Sequence, residues 1–288
     1  MPALAVSLLL LGQAAVPTAP GTAIRALTVS LLDEGGRLVT DVAIKDVALS
    51  ENGVHRDIAH FAPDTRPLTA AILVDTSAAV ASAYRLNVVE AIVGLVGRLP
   101  SGTRYSIWTT GDRPFKALDY TQDKGAAGAT LRRVAPQGGN YMLDALAEAT
   151  KDMVTTAREG DRRVVVAVTG LGPEFSYLDK QRAADEAEGR ADLFLSVQVD
   201  AGGGDFETRV RLGYVLDRLA SASGGRADQV LSYMGLDGAL QRLAAQIASA
   251  YRLRYATVPD LKKRKLELSV ARPGTKVLIP QLPSRDEG

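Results

Sequence analysis

The hydrophobic pattern of this chain begins as a simple alternation. Between residues 24 and 61 apolar and polar positions alternate, as in the segment RALTVSLLD, and this period of two is typical of half-buried strands. Asn52 and Gly53 stand between two such stretches, and both tolerate the positive φ of a tight hairpin turn. We therefore predict an N-terminal β-segment over residues 22–64.

The pattern changes after Pro67, where continuous apolar runs alternate with helical ones. The runs LTAAILVD, RRVVVAVT and DLFLSVQVD are apolar on both faces, which is typical of strands buried in a parallel sheet. Between them apolar residues recur at helical spacing, for example at Val89, Ile92, Val93 and Val96. These alternations predict a Rossmann-type α/β domain over residues 67–250, with a doubly wound, mainly parallel sheet.

Alternation returns in the last part of the chain, in the segments YRLRYATV and KLELSVA. Two or three strands are only marginally stable in water by themselves, and the N-terminal strands have the same difficulty. We therefore expect residues 251–282 to pair with the N-terminal segment in one small β-domain, with the α/β domain inserted between them.

Composition excludes several functional classes. The chain has 288 residues, a formal net charge of +1 and 46% hydrophobic residues, so a general description as disordered does not apply. The balanced charge gives no field that would gather nucleic acid or an anionic membrane. Cysteine is absent, which excludes disulfides, thiolate metal sites and cysteine nucleophiles.

The first residues have the pattern of an export signal. The apolar block ALAVSLLLL is followed by small residues and then by the proline-rich segment VPTAPG, although a basic segment before the block is missing. The block is shorter than the roughly 20 residues that a spanning helix needs. We expect residues 1–20 to be a signal peptide, the protein to be secreted or periplasmic, and no membrane span in the mature chain.

Polar residues follow the first strand of the α/β domain. Asp75, Thr76 and Ser77 stand where the strand ends, and ligand sites of open α/β sheets lie at the carboxyl ends of the strands. Three segments in this order, ILVDTSAAV, GGNYMLDALAEA and RRVVVAVTGLG, resemble the motifs of the von Willebrand factor type A domain, particularly of bacterial secreted proteins related to it. The flanking segments also resemble those of that family.

The resemblance implies a metal-ion-dependent adhesion site. This sequence differs from the family's ligand motif at several positions, and these differences determine which cation ligands are still present. Family members hold a divalent cation with an Asp-x-Ser-x-Ser motif, a Thr and a second Asp. This chain keeps Asp75 and Ser77 but has Ala79, Asn140 and Gly170 at the other three positions. Mg²⁺ and Ca²⁺ require more oxygen ligands than these residues offer. We expect a degenerate site without metal or cofactor, in which Asp75 and Ser77 cap the next helix or bond to loop amides.

The loop GLGPEFSY, residues 170–177, is expected at the same edge. It carries Glu174, Phe175 and Tyr177, and aromatic side chains of this kind often anchor protein interfaces. For Phe175 the favoured alternative is that its ring packs beneath the loop. The candidate partner-binding residues are Asp75, Ser77, Asn140, Glu174, Phe175 and Tyr177.

The resulting hypothesis is a non-enzymatic, exported module that binds another protein through these loops without metal. One alternative keeps a divalent cation, held by Asp75, Ser77, Asn140 and Glu174. A second alternative is a hydrolase that uses Asp75 or Glu174 as its acid. The sequence contains neither a nucleophile elbow nor a phosphate-binding Walker loop, so no motif favours an enzyme.

Overall fold

The structure is a computed structural model that describes residues 23–202, 204, 206–258 and 264–281. Its strands are β1 (Ala23–Leu32), β2 (Val47–Glu51), β3 (Val54–Arg56), β4 (Ile58–Pro63), β5 (Leu68–Val74), β6 (Arg104–Thr109), β7 (Phe115–Thr121), β8 (Arg162–Gly170), β9 (Leu193–Val199), β10 (Arg226–Val230), β11 (Tyr251–Thr257), β12 (Leu266–Val270) and β13 (Lys276–Leu278). Its longer helices are α1 (Ala78–Arg98), α2 (Ala126–Leu131), α3 (Met142–Thr156), α4 (Lys180–Ala187), α5 (Phe206–Ser223) and α6 (Leu236–Ser249).

A central sheet of six strands organises the middle of the chain. Its order is β10-β9-β8-β5-β6-β7, and all neighbours are parallel except β7, which runs antiparallel to β6. Every residue of β5 and β9 is buried, in agreement with their continuous apolar sequences. The predicted doubly wound α/β fold is confirmed.

Helices cover both faces of this sheet and create two separate cores. Helices α1, α2 and α6 pack on one face, and α3, α4 and α5 pack on the other. By length and composition alone, α1 is long and apolar enough to cross a bilayer, and this was not predicted from the sequence. In the fold its residues Ile92, Leu95 and Val96 are fully buried against the sheet, as in a core helix.

The two ends of the described chain pair with each other, as predicted. Strand β1 lies antiparallel between β11 and β13 in a four-stranded sheet, and β2 lies between β12 and β3 in a three-stranded one. Both sheets share a core that includes Leu27, Leu49 and Tyr255. Asn52 and Gly53 have φ values of 52° and 78° and join β2 to β3, which confirms the predicted hairpin. The predicted signal peptide, residues 1–20, lies outside the described residues and stays a prediction.

Candidate functional site

The polar residues predicted to form a site do meet at the carboxyl edge of the central sheet. Asp75 directly follows β5, and Thr169 and Gly170 end the neighbouring strand β8. Asn140 precedes α3 and bridges to the loop after β8 through Glu174. Because parallel strands end at the same edge, residues far apart in sequence are brought together here.

Asp75 is the centre of this arrangement, and both of its carboxylate oxygens bond to loop groups. Oδ1 accepts a hydrogen bond from the Ser77 amide at 2.8 Å, and Oδ2 accepts one from the Gly170 amide at 2.9 Å. The Thr169 hydroxyl is also 3.3 Å from Oδ2. Burial raises the pKa of Asp75, although these hydrogen bonds act in the opposite direction. Asp75 therefore has the local role that the sequence predicted, because it bonds loop amides.

Ser77 is buried as well, but its hydroxyl does not cap a helix. The residue precedes the short 3₁₀ turn Ala78–Val80 at the start of α1, and it makes no capping hydrogen bond there. Its Oγ is close enough to Asp75 to lower that carboxyl's pKa, yet it has no hydrogen-bond partner of good geometry. The capping role expected for Ser77 is therefore wrong.

Asn140 connects three strands and has no exposed surface. The Thr110 hydroxyl donates to its Oδ1 at 2.6 Å, and its Nδ2 donates to the Thr169 hydroxyl at 2.9 Å. Thr169 in turn contacts Asp75, so a continuous polar chain runs beneath the edge. The amide oxygen of Asn140 already accepts a short internal hydrogen bond.

We expect Asn140→Ala to lower the free energy of unfolding by about 2–4 kcal/mol, because it opens a cavity, removes the acceptor of the buried Thr110 hydroxyl and removes one of the hydrogen bonds of Thr169. Urea unfolding followed by circular dichroism measures the loss. The matched control is Gln137→Ala, an exposed residue of the same loop, for which we expect a change within about 0.5 kcal/mol. Equal effects of the two substitutions would contradict the structural role of Asn140.

The space where the family places its remaining cation ligands is filled by other groups. A Cβ atom at Gly170 would lie only 2.7 Å from the Tyr233 hydroxyl and 3.5 Å from Oδ2 of Asp75. A Cβ atom at Gly172 would overlap the side chain of Ala79. Burial and the nearby Asp75 carboxylate raise the pKa of Tyr233 to about 12, so this hydroxyl stays protonated at neutral pH. The Tyr233 hydroxyl and the Ala79 side chain therefore fill two sides of the space in which family members hold their cation.

The donor set does not fit a dedicated Mg²⁺ or Ca²⁺ site. Both oxygens of Asp75 and the amide oxygen of Asn140 accept protein hydrogen bonds, and Ala79 and Gly170 have no side-chain oxygen. Among the described residues, no group of three His, Cys, Asp or Glu side chains is placed to hold a metal ion. Mg²⁺ requires near-octahedral oxygen ligands, and this arrangement does not supply them.

Glu174 acts on helix α3 instead of pointing toward a cation. Its Oε2 accepts from the Met142 amide at 3.3 Å and its Oε1 from the Ser176 amide at 3.0 Å. Ser176 Oγ accepts from the amides of Leu143 and Asp144, both at 3.1 Å. Burial raises the pKa of Glu174. Carboxylate and hydroxyl oxygens at a helix N-terminus satisfy its free amides, so these residues cap α3.

Asp144 on α3 also holds the loop after β8. Its two carboxylate oxygens accept from the amides of Tyr177 at 2.9 Å and Leu178 at 3.0 Å. The guanidinium of Arg211 on α5 donates to the carbonyl oxygens of Ser176 and Leu178. The loop after β8 is thus fixed to two helices. No motif marks Ser176 or Arg211, because their contacts depend on the tertiary fold.

The fixed loop presents its aromatic side chains to solvent. Phe175 is 55% exposed and Tyr177 is 91% exposed. The ring of Tyr141 lies between them, with centroid distances of 6.4 Å to Phe175 and 6.2 Å to Tyr177. One edge of Phe175 rests against Gly139, where a Cβ atom would overlap the ring. The expectation that Phe175 packs beneath the loop is therefore wrong, since more than half of it is exposed.

Further large apolar side chains are exposed along the same edge. Phe206 follows β9, and Leu231 and Met234 follow β10, with exposed fractions between 79% and 88%. We call these three residues together with Phe175 and Tyr177 the apolar edge surface. Leu231 and Met234 were not predicted, because the polar residues of β10 do not have the pattern of a buried strand. Asp75, Ser77 and Asn140 lie beneath this surface and can influence a partner only through the loops they hold.

Comparison with known proteins agrees with this geometry. The family profile for the von Willebrand factor type A domain matches residues 70–173. No curated protein sequence shows significant similarity to the chain.

Three solved structures show the same fold at low sequence identity. A von Willebrand factor type A protein from Catenulispora acidiphila has a TM-score of 0.55 at 11% identity, covering 93% of this chain and 75% of its own. Proximal thread matrix protein 1 from the mussel byssus has a TM-score of 0.54 at 18% identity, covering 69% of this chain. The von Willebrand factor domain of the type V pili tip protein Mfa5 from Porphyromonas gingivalis has a TM-score of 0.51 at 12% identity, covering 64% of this chain and 96% of its own.

The chain spans about half of the mussel protein, 51% of its length. That protein is also known with zinc in its metal-ion-dependent adhesion site. Identities below 20% establish the fold and leave function to the residues of the site. The profile match over residues 70–173, the sheet order and the motif positions together show that the α/β part of this chain has the fold of a von Willebrand factor type A domain, to which it is similar.

Proposed function

We propose that this chain is an exported protein-binding module that uses the apolar edge surface and requires no metal. Domains of this family are mostly interaction modules without enzymatic activity. The observation that carries the proposal is a group of five large apolar side chains that are exposed after three adjacent strands of the sheet. These side chains are Phe175, Tyr177, Phe206, Leu231 and Met234. Exposed apolar groups of this size are characteristic of protein interaction sites.

The support of these side chains also favours protein recognition. The loop that carries Phe175 and Tyr177 is tied to α3 by Glu174, Ser176 and Asp144, so its aromatic rings are held before a partner arrives. A surface that is already ordered loses little conformational entropy on binding.

The way in which the polar groups are used supports metal independence. In the cation-dependent alternative, a partner carboxylate would complete the shell of a metal held by Asp75, Ser77, Asn140 and Glu174. Asp75 and Glu174 instead accept backbone hydrogen bonds on both oxygens. The hydrolase alternative has the same difficulty, because Asp75 is only 2% exposed and has no free oxygen for a substrate.

The test of the interface is a quantitative pull-down from the native envelope fraction with the mature chain as bait. We expect the Phe175→Ala, Tyr177→Ala double variant to lose at least about 90% of a specific partner that the wild type recovers, since truncating two central aromatic anchors costs about 2 kcal/mol or more. The matched control is Ile44→Ala, Val54→Ala, which truncates two exposed apolar residues of the β-domain, one in the turn before β2 and one in β3. Equal recovery by the aromatic double variant would place the interface elsewhere.

Calorimetry separates the metal-independent proposal from its alternative. We expect no saturable heat when the purified chain is titrated with millimolar Mg²⁺ or Ca²⁺, and the same pull-down yield with and without EDTA. Tight binding of either ion that disappears in Asp75→Ala would establish the cation-dependent alternative. Localisation is tested independently by fractionating cells that express the full chain and sequencing the mature N-terminus.

A further inference from the structure

A second candidate site lies at the opposite, amino-terminal edge of the central sheet. Two cavities of about 700 Å³ and 570 Å³ adjoin there and share Arg66, Arg158 and Asp161 in their walls. The larger cavity is bounded by β1 and β11 on one side and by the loop before β8 on the other. We call the two together the amino-edge cleft. Each cavity has the size of small-molecule sites in proteins.

The charge of the amino-edge cleft comes mainly from arginine. Among the described residues, seven arginines and five carboxylate residues line it, a clear excess of cations in a chain whose formal net charge is only +1. None of the described lining residues is a lysine or a histidine. Arginine presents a planar fork of N–H donors that matches the geometry of carboxylate and phosphate groups, so this composition favours an oxyanion.

Four of the five carboxylate residues of the cleft are already engaged by other protein groups, and the fifth, Glu159, is exposed. Asp64 accepts two hydrogen bonds from the guanidinium of Arg66, at 3.0 and 2.8 Å. Asp161 Oδ2 accepts from the Thr69 hydroxyl at 2.6 Å and from the Arg158 amide at 3.1 Å.

The two carboxylates contributed by the far wall are engaged in the same way. Asp192 accepts from the Arg163 amide at 2.7 Å, and Glu188 pairs with Arg218 at 2.7 Å. These acids therefore have little capacity left to neutralise further cations.

Arg162, the first residue of β8, is the cation in this cleft whose donors are least satisfied. The residue is 2% exposed, and its Nη2 donates to the Ile247 carbonyl at 2.5 Å. Its Nη1 lies 3.9 Å from Asp64, beyond hydrogen-bond distance, and neither Nε nor Nη1 has a hydrogen-bond partner. Burial lowers the pKa of Arg162, and the nearby Arg66 adds to that effect against the attraction of Asp64. Buried donors without partners are costly, so an additional acceptor here would be stabilising.

Two more accessible arginines lie at the mouth of the cleft. Arg158 is exposed, and its guanidinium forms no ion pair with any described residue. Arg104 is half-buried, and its contact is with the ring of Tyr120, 5.7 Å from the ring centroid. Both side chains are therefore placed to take an anionic group that reaches the shared wall of the two cavities.

We propose that the amino-edge cleft binds a small molecule with two or more carboxylate or phosphate groups, and that Arg158 and Arg104 contact it while Arg162 supplies cationic charge from the wall. One anionic group would lie between Arg158 and Arg162, and the combined volume leaves room for a second group near β1 and β11. This site is separate from the apolar edge surface, so a protein and an anion would bind at opposite ends of the sheet.

The test is calorimetric titration of the full chain with citrate and, separately, with inorganic phosphate. We expect saturable binding of citrate, weaker binding of phosphate, and at least tenfold weaker citrate binding by Arg158→Ala, because this variant loses a charge-assisted hydrogen bond to the anion. Arg104→Ala is expected to weaken citrate binding in the same direction. The matched control is Arg182→Ala, an exposed arginine of α4 outside the cleft, with unchanged affinity.

Arg162→Met removes the buried cation, and circular dichroism shows whether this variant still folds. If it does not fold, Arg158→Ala and Arg104→Ala decide the question, because both side chains reach solvent. Absence of saturable heat with both anions would overturn the proposal. Equal citrate affinity in wild type, Arg158→Ala and Arg104→Ala would overturn it as well, since binding would then lie elsewhere.

Discussion

Glu51→Ala is expected to lower the free energy of unfolding by about 3–5 kcal/mol, because it removes one partner of a buried ion pair with the guanidinium of Arg264. Glu51 ends β2 and has no exposed surface, and Arg264 precedes β12 with a side chain that is 1% exposed. Their closest atoms are 2.6 Å apart. Urea unfolding at pH 7 measures the loss.

The Glu51 carboxylate joins elements from both ends of the described chain, which is why the effect is expected to be large. It accepts from the hydroxyls of Tyr255 at 3.0 Å and Thr257 at 2.5 Å, both on β11, and from Arg56 on β3 at 2.9 Å. One side chain thus connects the three-stranded sheet with the four-stranded sheet. The control is Glu267→Ala, which breaks an exposed pair with Lys265, and its expected cost is at most about 1 kcal/mol.

The same network gives stability a defined pH dependence. Burial raises the pKa of Glu51, but the hydrogen bonds from Thr257, Arg264 and Tyr255 outweigh this and leave the pKa below the ordinary value of 4.5. A carboxyl group with a lowered pKa in the folded state stabilises the fold above its unfolded pKa. This stabilisation is lost as pH falls below about 4.5 through the folded value. In Glu51→Gln we expect a flatter decline of stability between pH 5 and pH 3, and an unchanged decline would contradict the role of this carboxylate.

The sequence predicted the parts of the fold that depend on local patterns. Strands β5, β8 and β9 are buried on both faces, so their apolar runs were unambiguous, and Asn52-Gly53 specified its hairpin by backbone conformation alone. The edge strands β7 and β10 were missed. Each has a neighbour on one side only, and their half-buried residues include charges that interrupt the pattern.

The candidate site shows a different limit. The sequence motifs correctly predicted that Asp75, Asn140 and the loop after β8 lie at one edge of the sheet, because strand order determines which loops become neighbours. They did not predict what fills the space left by Ala79 and Gly170. Tyr233 comes from the loop after β10, on the far side of the sheet, and no motif marks it. A tertiary contact of this kind depends on how helices α1 and α6 pack, which no short window of sequence contains.

Gly170→Asp restores the acidic residue of the family motif, and we expect it to lower the free energy of unfolding by about 3 kcal/mol or more at pH 7. The new Cβ atom would stand 2.7 Å from the Tyr233 hydroxyl, and the new carboxylate would lie beside buried Asp75. The control is Gly170→Ala, which has the same steric conflict without the charge and is expected to cost about 1–3 kcal/mol. The difference between the two variants measures the repulsion between the carboxylates.

That difference is expected to shrink as pH is lowered from 7. Burial already raises the pKa of Asp75, and a second carboxylate raises it further, so one of the two acids takes up a proton at a higher pH than a free carboxyl group does. Adding Tyr233→Ala to Gly170→Asp removes the steric conflict and leaves two carboxylates beside Ser77. In that double variant millimolar Mg²⁺ is expected to recover part of the lost stability, because a bound cation stabilises the folded state by mass action. If Mg²⁺ stabilises the wild-type chain to the same extent, then the site around Asp75 already binds metal while Tyr233 is present.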